Sequence, residues 1–174
     1  MSPDRRPVDD VDVIVSAWRR ERPDLDVTPL EVLSRVSRLA RRLDLARGSA
    51  FAQHQVDSWA FDVLSALRRA GEPYELSPGQ LVQQTLVTSG TMTNRVDRLE
   101  RHGWVERRPD PADRRGVLVR LTAVGRDVVD AAMANLINHE KSLLGELSAA
   151  EQRQLATLLR RLLAPLEGHD GREH

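Results

Sequence analysis

The stretch TSGTMTNRVDRLERHGWVERRPDPADRRGVLVRL, residues 88–121, decides the fold of this chain. It opens on Thr88 and Ser89, whose hydroxyls suit a helix start, where a side-chain oxygen takes up an otherwise orphaned backbone N–H. Met92, Val96 and Leu99 follow at i, i+4, i+7 and define one apolar face of a short helix. Ser89, Thr91, Asn94, Arg95 and Arg98 spread over the other faces. His102-Gly103 ends the helix, because glycine takes a left-handed C-terminal conformation at least cost. Trp104–Arg108 and Val117–Leu121 then alternate with the period of a strand, and the intervening PDPADRRG is too long and polar for a tight turn. The two read as a hairpin whose tip projects.

A helix presenting small polar and arginine side chains, followed by a basic hairpin, is the layout of a winged helix-turn-helix. The helix fits a DNA major groove, and the hairpin tip reaches the neighbouring backbone or minor groove. Upstream, Ser77-Pro78-Gly79-Gln80 is a capping box that starts a short helix through about Gln84. The turn Thr85–Thr88 joins it to the reading helix. DNA contacts are assigned to Ser89, Thr91, Thr93, Asn94 and Arg98. Asn and Arg offer paired groups to purine edges, and Ser and Thr suit phosphates. Arg114 and Arg115 form the wing tip.

The remaining segments read as helices around this core. Asp9–Arg22 carries Val11, Ile14, Val15 and Trp18 on one side and is closed by Pro23, after a polar, frayed start over residues 1–8. Thr28-Pro29-Leu30-Glu31 reads as a cap, a first-turn proline and a returning glutamate, opening a helix to about Ala46 that weakens at Arg47-Gly48-Ser49 and can resume through Phe51 and Gln55. Its seam is Leu33, Val36, Ala40 and Leu43. Asp57–Ala70 has a ridge of Trp59, Val63 and Leu67, with Asp62 expected on its exposed edge. A long helix from Thr122 to about Gly145 is expected to turn Val124, Val128, Ala131 or Ala132, and Leu136 inward. A last helix, capped by Ser148 and Glu151, bears a wide stripe of Leu155, Leu158, Leu159, Leu162, Leu163 and Leu166. Such a stripe beyond the winged core implies a partner surface, most economically a homodimer that sets two reading helices about one DNA turn apart. The fold class is therefore mainly α with a small β-hairpin wing. Its expected organisation is residues 1–56 for dimerisation and a ligand-site helix, 57–121 for the DNA-binding core, and 122–174 for further dimerisation helices.

Composition bounds the function. The chain has 174 residues, equal numbers of basic and acidic side chains, 3% aromatics and no cysteine. Leu, Val and Ala must fill the core, and disulfides, zinc thiolates and thiol-based sensing are excluded. The five histidines lack metal-site spacing, and no Gly-rich phosphate loop or nucleophile elbow occurs, so neither a metal, a cofactor nor an enzyme is expected. No apolar run of membrane-spanning length and no signal-peptide core are present, and a cytoplasmic location is expected. Net charge of zero hides a local excess: residues 88–121 carry eight basic and five acidic side chains, whereas residues 122–174 carry six and eight. Phosphate attraction is thus confined to the helix and hairpin. A winged module built for protein–protein contacts would have a neutral or acidic reading helix.

Asp113-Arg114-Arg115, then Leu121-Thr122 and Gly125, resemble the wing signature of MarR-family transcriptional regulators, and the helical order over roughly residues 28–165 is similar as well. That resemblance implies a repressor of its own and a neighbouring gene, acting on a pseudo-palindromic operator, with one wing arginine in the minor groove and Asp113 holding the loop. Within the family the chain is similar to the urate-responsive, PecS-type branch, which has an added N-terminal helix. The resemblance implies Trp18, Asp62, Arg95 and Arg107 as ligand residues, and an Asp62–Arg107 ion pair that urate disturbs. The chemistry is coherent, since a planar anion wants an indole to lie against and a guanidinium to pair its charge. A phenolic acid or xanthine would satisfy the same groups.

Overall fold

A computed structural model of the chain describes residues 8–113 and 115–167. It divides into two units, one up to Ser49 and one from Ala50 onward. The first is built on α1 (Asp10–Glu21) and the larger part of α2 (Thr28–Ala52). Asp9 caps α1, accepting from the Val11 N–H at 2.8 Å, while the Asp12 carboxylate returns a bond to the Asp9 N–H at 2.9 Å. The same two acids clasp Arg35 of α2, at 2.8 Å each. Beneath them Val11, Val15 and Val27 are buried, with Leu30 against them.

Two expectations for α2 are corrected. Thr28 does not serve as the cap; its N–H donates to the Asp26 carboxylate at 3.0 Å, while Glu31 pairs with Arg19 instead of returning to it. Nor does the helix falter at Arg47-Gly48-Ser49. It runs unbroken to Ala52. One helical glycine costs only about 1 kcal/mol relative to alanine, and burial of Ala50 and Phe51 offsets that.

The second unit orders α3 (Ser58–Arg69), β1 (Glu75–Leu76), α4 (Pro78–Thr85), α5 (Ser89–Arg101), β2 (Val105–Pro109), β3 (Val117–Leu121), α6 (Ala123–Leu143) and α7 (Ala149–Glu167). Its core gathers Val63, Leu64 and Leu67 of α3, Leu81 of α4, Met92, Val96 and Leu99 of α5, Val119 of β3 and Ala132 of α6. The i, i+4, i+7 face read from the sequence is the one α5 buries. The Ser77–Gln80 capping box forms in both directions, at 2.8 and 3.2 Å. Thr88 caps α5 through the Thr91 N–H, and Gly103 takes a φ of 71° just past its end.

The sheet is three-stranded and antiparallel, in the order β1-β3-β2. Its extra strand β1, two residues long, is too short to show alternation in the sequence. Pairing sets Val105 opposite Leu121 and Arg107 opposite Val119, so all four share the face turned to the core.

In α6 the inward stripe is Gly125, Val129, Ala132 and Leu136; Val124 is 58% exposed, against expectation, while Val128 is half-buried and packs against the core. The cause is Gly125, on which the backbone of Trp104 lies so closely that a Cβ would collide with its carbonyl. Thr122 locks the same junction, its N–H donating to the Trp104 carbonyl at 3.0 Å and its hydroxyl to the Gly103 carbonyl at 2.8 Å. This fixes the first turn of α6 with Gly125 rather than Val124 inward, while Ala132 and Leu136 face the core as expected. Ser148 and Glu151 form the expected cap of α7, whose Leu158, Leu162, Leu163 and Leu166 remain exposed. Exposed apolar residues also line the first unit, among them Val32, Leu33, Val36 and Leu39.

Candidate functional site

With Met92, Val96 and Leu99 turned inward, the rest of α5 is offered outward. Ser89, Thr91, Thr93, Asn94 and Arg98 are all exposed. Two of the hydroxyls have local partners: Thr91 Oγ1 lies 2.9 Å from Thr88 Oγ1, and the Thr93 hydroxyl donates to the Ser89 carbonyl at 3.1 Å. Asn94, with an amide free of intramolecular bonds among the described residues, retains its full donor and acceptor set.

The two flanks of α5 are held by charge pairs of opposite polarity. Toward the wing, Asp97 and Glu100 stand three residues apart and both pair with the guanidinium of Arg107 from β2. Glu100 also accepts from the Arg107 backbone N–H at 3.1 Å. Burial acts to lower the Arg107 pKa, but the hydrogen bonds to Asp97 and Glu100 together outweigh it and hold the guanidinium above its ordinary value. Toward α3, Arg95 and Arg98 lie over the Trp59 ring, and Arg98 reaches the Asp57 carboxylate at 3.4 Å. The helix is thus tied to the wing by its acids and to α3 by its bases.

This arrangement corrects the Asp62–Arg107 pair. Arg107 shares the core-side face of the sheet with Val105, which aims it at α5, where two acids at i, i+3 are waiting. Asp62 sits on the exposed edge of α3 and has no hydrogen bond or ion pair among the described residues. Arg107 also borders a largely apolar hollow of about 220 Å³, whose other walls are Pro78, Thr93, Val96 and Val117. In the first unit, Trp18 is 46% exposed beside an open hollow bordered by Ile14, Ala17 and Glu21. The sequence reading missed the Arg107 acids and the Trp59 platform. The i, i+3 acids facing a strand arginine were the available signal for the first.

The wing loop is organised by its aspartates. Asp110 accepts from the Ala112 N–H at 2.8 Å and Asp113 from the Arg115 N–H at 2.9 Å, while the Asp113 carbonyl accepts from the Gly116 N–H at 2.8 Å. A Cβ on Gly116 would press to 2.8 Å from Asp110 Cβ, so the loop needs a glycine there. Arg115 is exposed at the tip with no side-chain partner among the described residues. Arg114 lies outside the described residues. No described helix is long and apolar enough to cross a membrane.

Comparison with known proteins agrees with this architecture. The MarR family model matches residues 54–116. The HTH-type transcriptional regulator PecS of Dickeya dadantii is 38% identical over 153 residues, spanning 88% of this chain and 92% of PecS. The crystal structure of an E. coli MarR variant complexed with operator DNA superposes with a TM-score of 0.65 at 28% identity, covering 84% of this chain and 97% of that one. Bordetella bronchiseptica BpsR, whose DNA binding is regulated by 6-hydroxynicotinic acid, gives 0.57 at 31% identity over 74% of this chain and 98% of BpsR. The chain belongs to the MarR family of DNA-binding transcriptional regulators and is not an enzyme.

Proposed function

We propose that this protein is a cytoplasmic repressor that binds a pseudo-palindromic operator as a homodimer and is released by a small aromatic anion, with urate the best candidate. Ser89, Thr91, Thr93, Asn94 and Arg98 read the major groove or its phosphates, and Arg114 and Arg115 follow the adjacent backbone or minor groove. The uncovered leucines of α7 and the uncovered apolar residues of the first unit support a second copy as partner, since faces of this extent are seldom left to water.

The observation that carries the effector reading is Arg107, held by two acids of the reading helix at the rim of an apolar hollow. An anion entering there competes with Asp97 and Glu100 for the guanidinium. Winning that competition unties the wing from α5 and leaves two carboxylates facing DNA, which opposes phosphate binding. Arg95 is a second cation on α5, suited to a planar monoanion. The family resemblance adds Asp62, an exposed acid of α3 whose charge repels such an anion. For release, the anion must prefer the DNA-incompetent state; equal affinity for both states shifts nothing. BpsR, whose DNA binding is regulated by 6-hydroxynicotinic acid, keeps a nicotinate-type effector as the second reading.

Asp62→Asn tests the urate reading, and exchange of the anion tests the second. It should blunt urate-driven release while leaving folding intact. A full wild-type response would remove Asp62 from the mechanism, and release by 6-hydroxynicotinate but not by urate would favour the second reading.

A further inference from the structure

Asp57 occupies the N-cap position of α3, where a carboxylate ordinarily accepts from the first-turn N–H groups, yet it makes no capping bond. Its carboxylate instead accepts from the Trp59 indole N–H at 2.8 Å and from Arg98 at 3.4 Å. Trp59 is half-buried, one side of it packed on the core of the second unit. Its ring carries two arginines of the reading helix, the Arg98 guanidinium carbon at 4.5 Å from the centroid and that of Arg95 at 5.8 Å.

An exposed arginine ordinarily samples many rotamers, and ordering it costs free energy when DNA is bound. Here that ordering is already done in the free protein. Indole is the strongest aromatic partner for a cation, and the Asp57 carboxylate fixes the direction of the fork from the other side. We propose that Trp59, oriented by Asp57, is a positioning residue for base reading: it presents Arg98 in one direction to the operator. This rests on the reading of α5 as the DNA-reading helix. Pairing with a purine edge depends on where the fork points, whereas non-specific attraction depends only on charge. Trp59 therefore contributes to operator preference and not to general DNA affinity.

The test is a mutant cycle on the full-length chain with its operator and a scrambled duplex at one salt concentration. Trp59→Leu should weaken operator binding about five- to tenfold and leave scrambled-duplex binding within about twofold. Trp59→Phe, which keeps an aromatic face, should restore most of the loss. In an Arg98→Ala background, Trp59→Leu should change operator affinity by less than about twofold, because the positioned group is gone. Wild-type operator affinity in Trp59→Leu overturns the proposal. So does a parallel loss on both duplexes, or a loss that adds in full to that of Arg98→Ala, since either marks a packing role. If the wild-type chain itself shows no operator preference, the DNA-reading assignment fails first and the proposal falls with it.

Discussion

Replacing Arg107 by glutamine removes the charge that ties β2 to α5 while keeping most of the side chain's length. Arg107 is 33% exposed and its partners Asp97 and Glu100 are 49% and 40% exposed. Ion pairs at that exposure contribute roughly 0.2–1 kcal/mol each. Two sharing one guanidinium therefore give about 1 kcal/mol, a melting temperature lower by roughly 2–4 °C for a chain of this size. The effect on DNA is larger in proportion. Asp97 and Glu100 are left uncompensated on the reading helix, and a carboxylate about 8 Å from a phosphate repels it by about 0.5 kcal/mol in water before screening. Two of them weaken operator binding by about three- to tenfold, most strongly at low salt. Calorimetry gives the first quantity and fluorescence anisotropy at two salt concentrations the second. The triple variant Arg107→Gln, Asp97→Asn, Glu100→Gln should recover operator binding but not urate release. Unchanged affinity and an unchanged urate midpoint in Arg107→Gln would refute the idea that this tie governs the reading helix.

Other perturbations probe separate parts of the account. Gly125→Ala forces a methyl onto the Trp104 backbone and should cost more than about 2 kcal/mol, read as a fall in melting temperature; a neutral result would mean that α6 is free to rotate at the junction. Leu86 is 89% exposed in the turn between α4 and α5 at a φ of 53°. Leu86→Gly should therefore stabilise by about 0.5–1 kcal/mol in denaturant unfolding, left-handed backbone being unfavourable for leucine, and a destabilised variant would contradict that. Arg115→Ala should weaken operator binding several-fold with no change in melting temperature; unchanged affinity would sink the wing assignment. Asp9 lies below the ordinary aspartate pKa chiefly through its hydrogen bond from Arg35, and Asp12 chiefly through the Asp9 N–H. Acids depressed in the folded state stabilise above their unfolded pKa, near 4, and lose that contribution as pH falls through the lower folded value. The α1–α2 clasp should thus be intact from neutral pH to about pH 4 and loosen below it, visible as falling protection factors for the Val11 and Asp12 amides. Protection that is unchanged down to pH 2.5 would show that the clasp does not hold α1.

What could be read from residues alone was whatever local chemistry fixes. The Ser77 and Ser148 capping boxes, the Thr88 cap, the Gly103 stop and the Met92-Val96-Leu99 face all depend on neighbours within a turn or two. Asp62 was placed on an exposed edge because an acid is seldom buried without a cationic partner. What periodicity does not hold is contact between elements. The rotation of α6 follows from Trp104 pressing on Gly125, a contact 21 positions apart in the chain, and so Val124 was turned the wrong way. The partners of Arg107 depend on the register of β2 against β3, which a loop of undetermined geometry leaves open in the sequence. Trp59 looked like one member of an apolar ridge, because its arginines come from a helix some forty residues later. The family resemblance paired Arg107 with Asp62, whereas in the fold its partners are Asp97 and Glu100.

The proposed activity is operator binding that an aromatic anion releases. Its most direct test is fluorescence anisotropy of the full-length chain on DNA from upstream of its own gene, at fixed salt, with and without urate. The account predicts tight, salt-sensitive binding that urate releases and that a scrambled duplex does not reproduce. Operator binding indifferent to urate would contradict the effector assignment, and equal binding to both duplexes would contradict the reading helix itself.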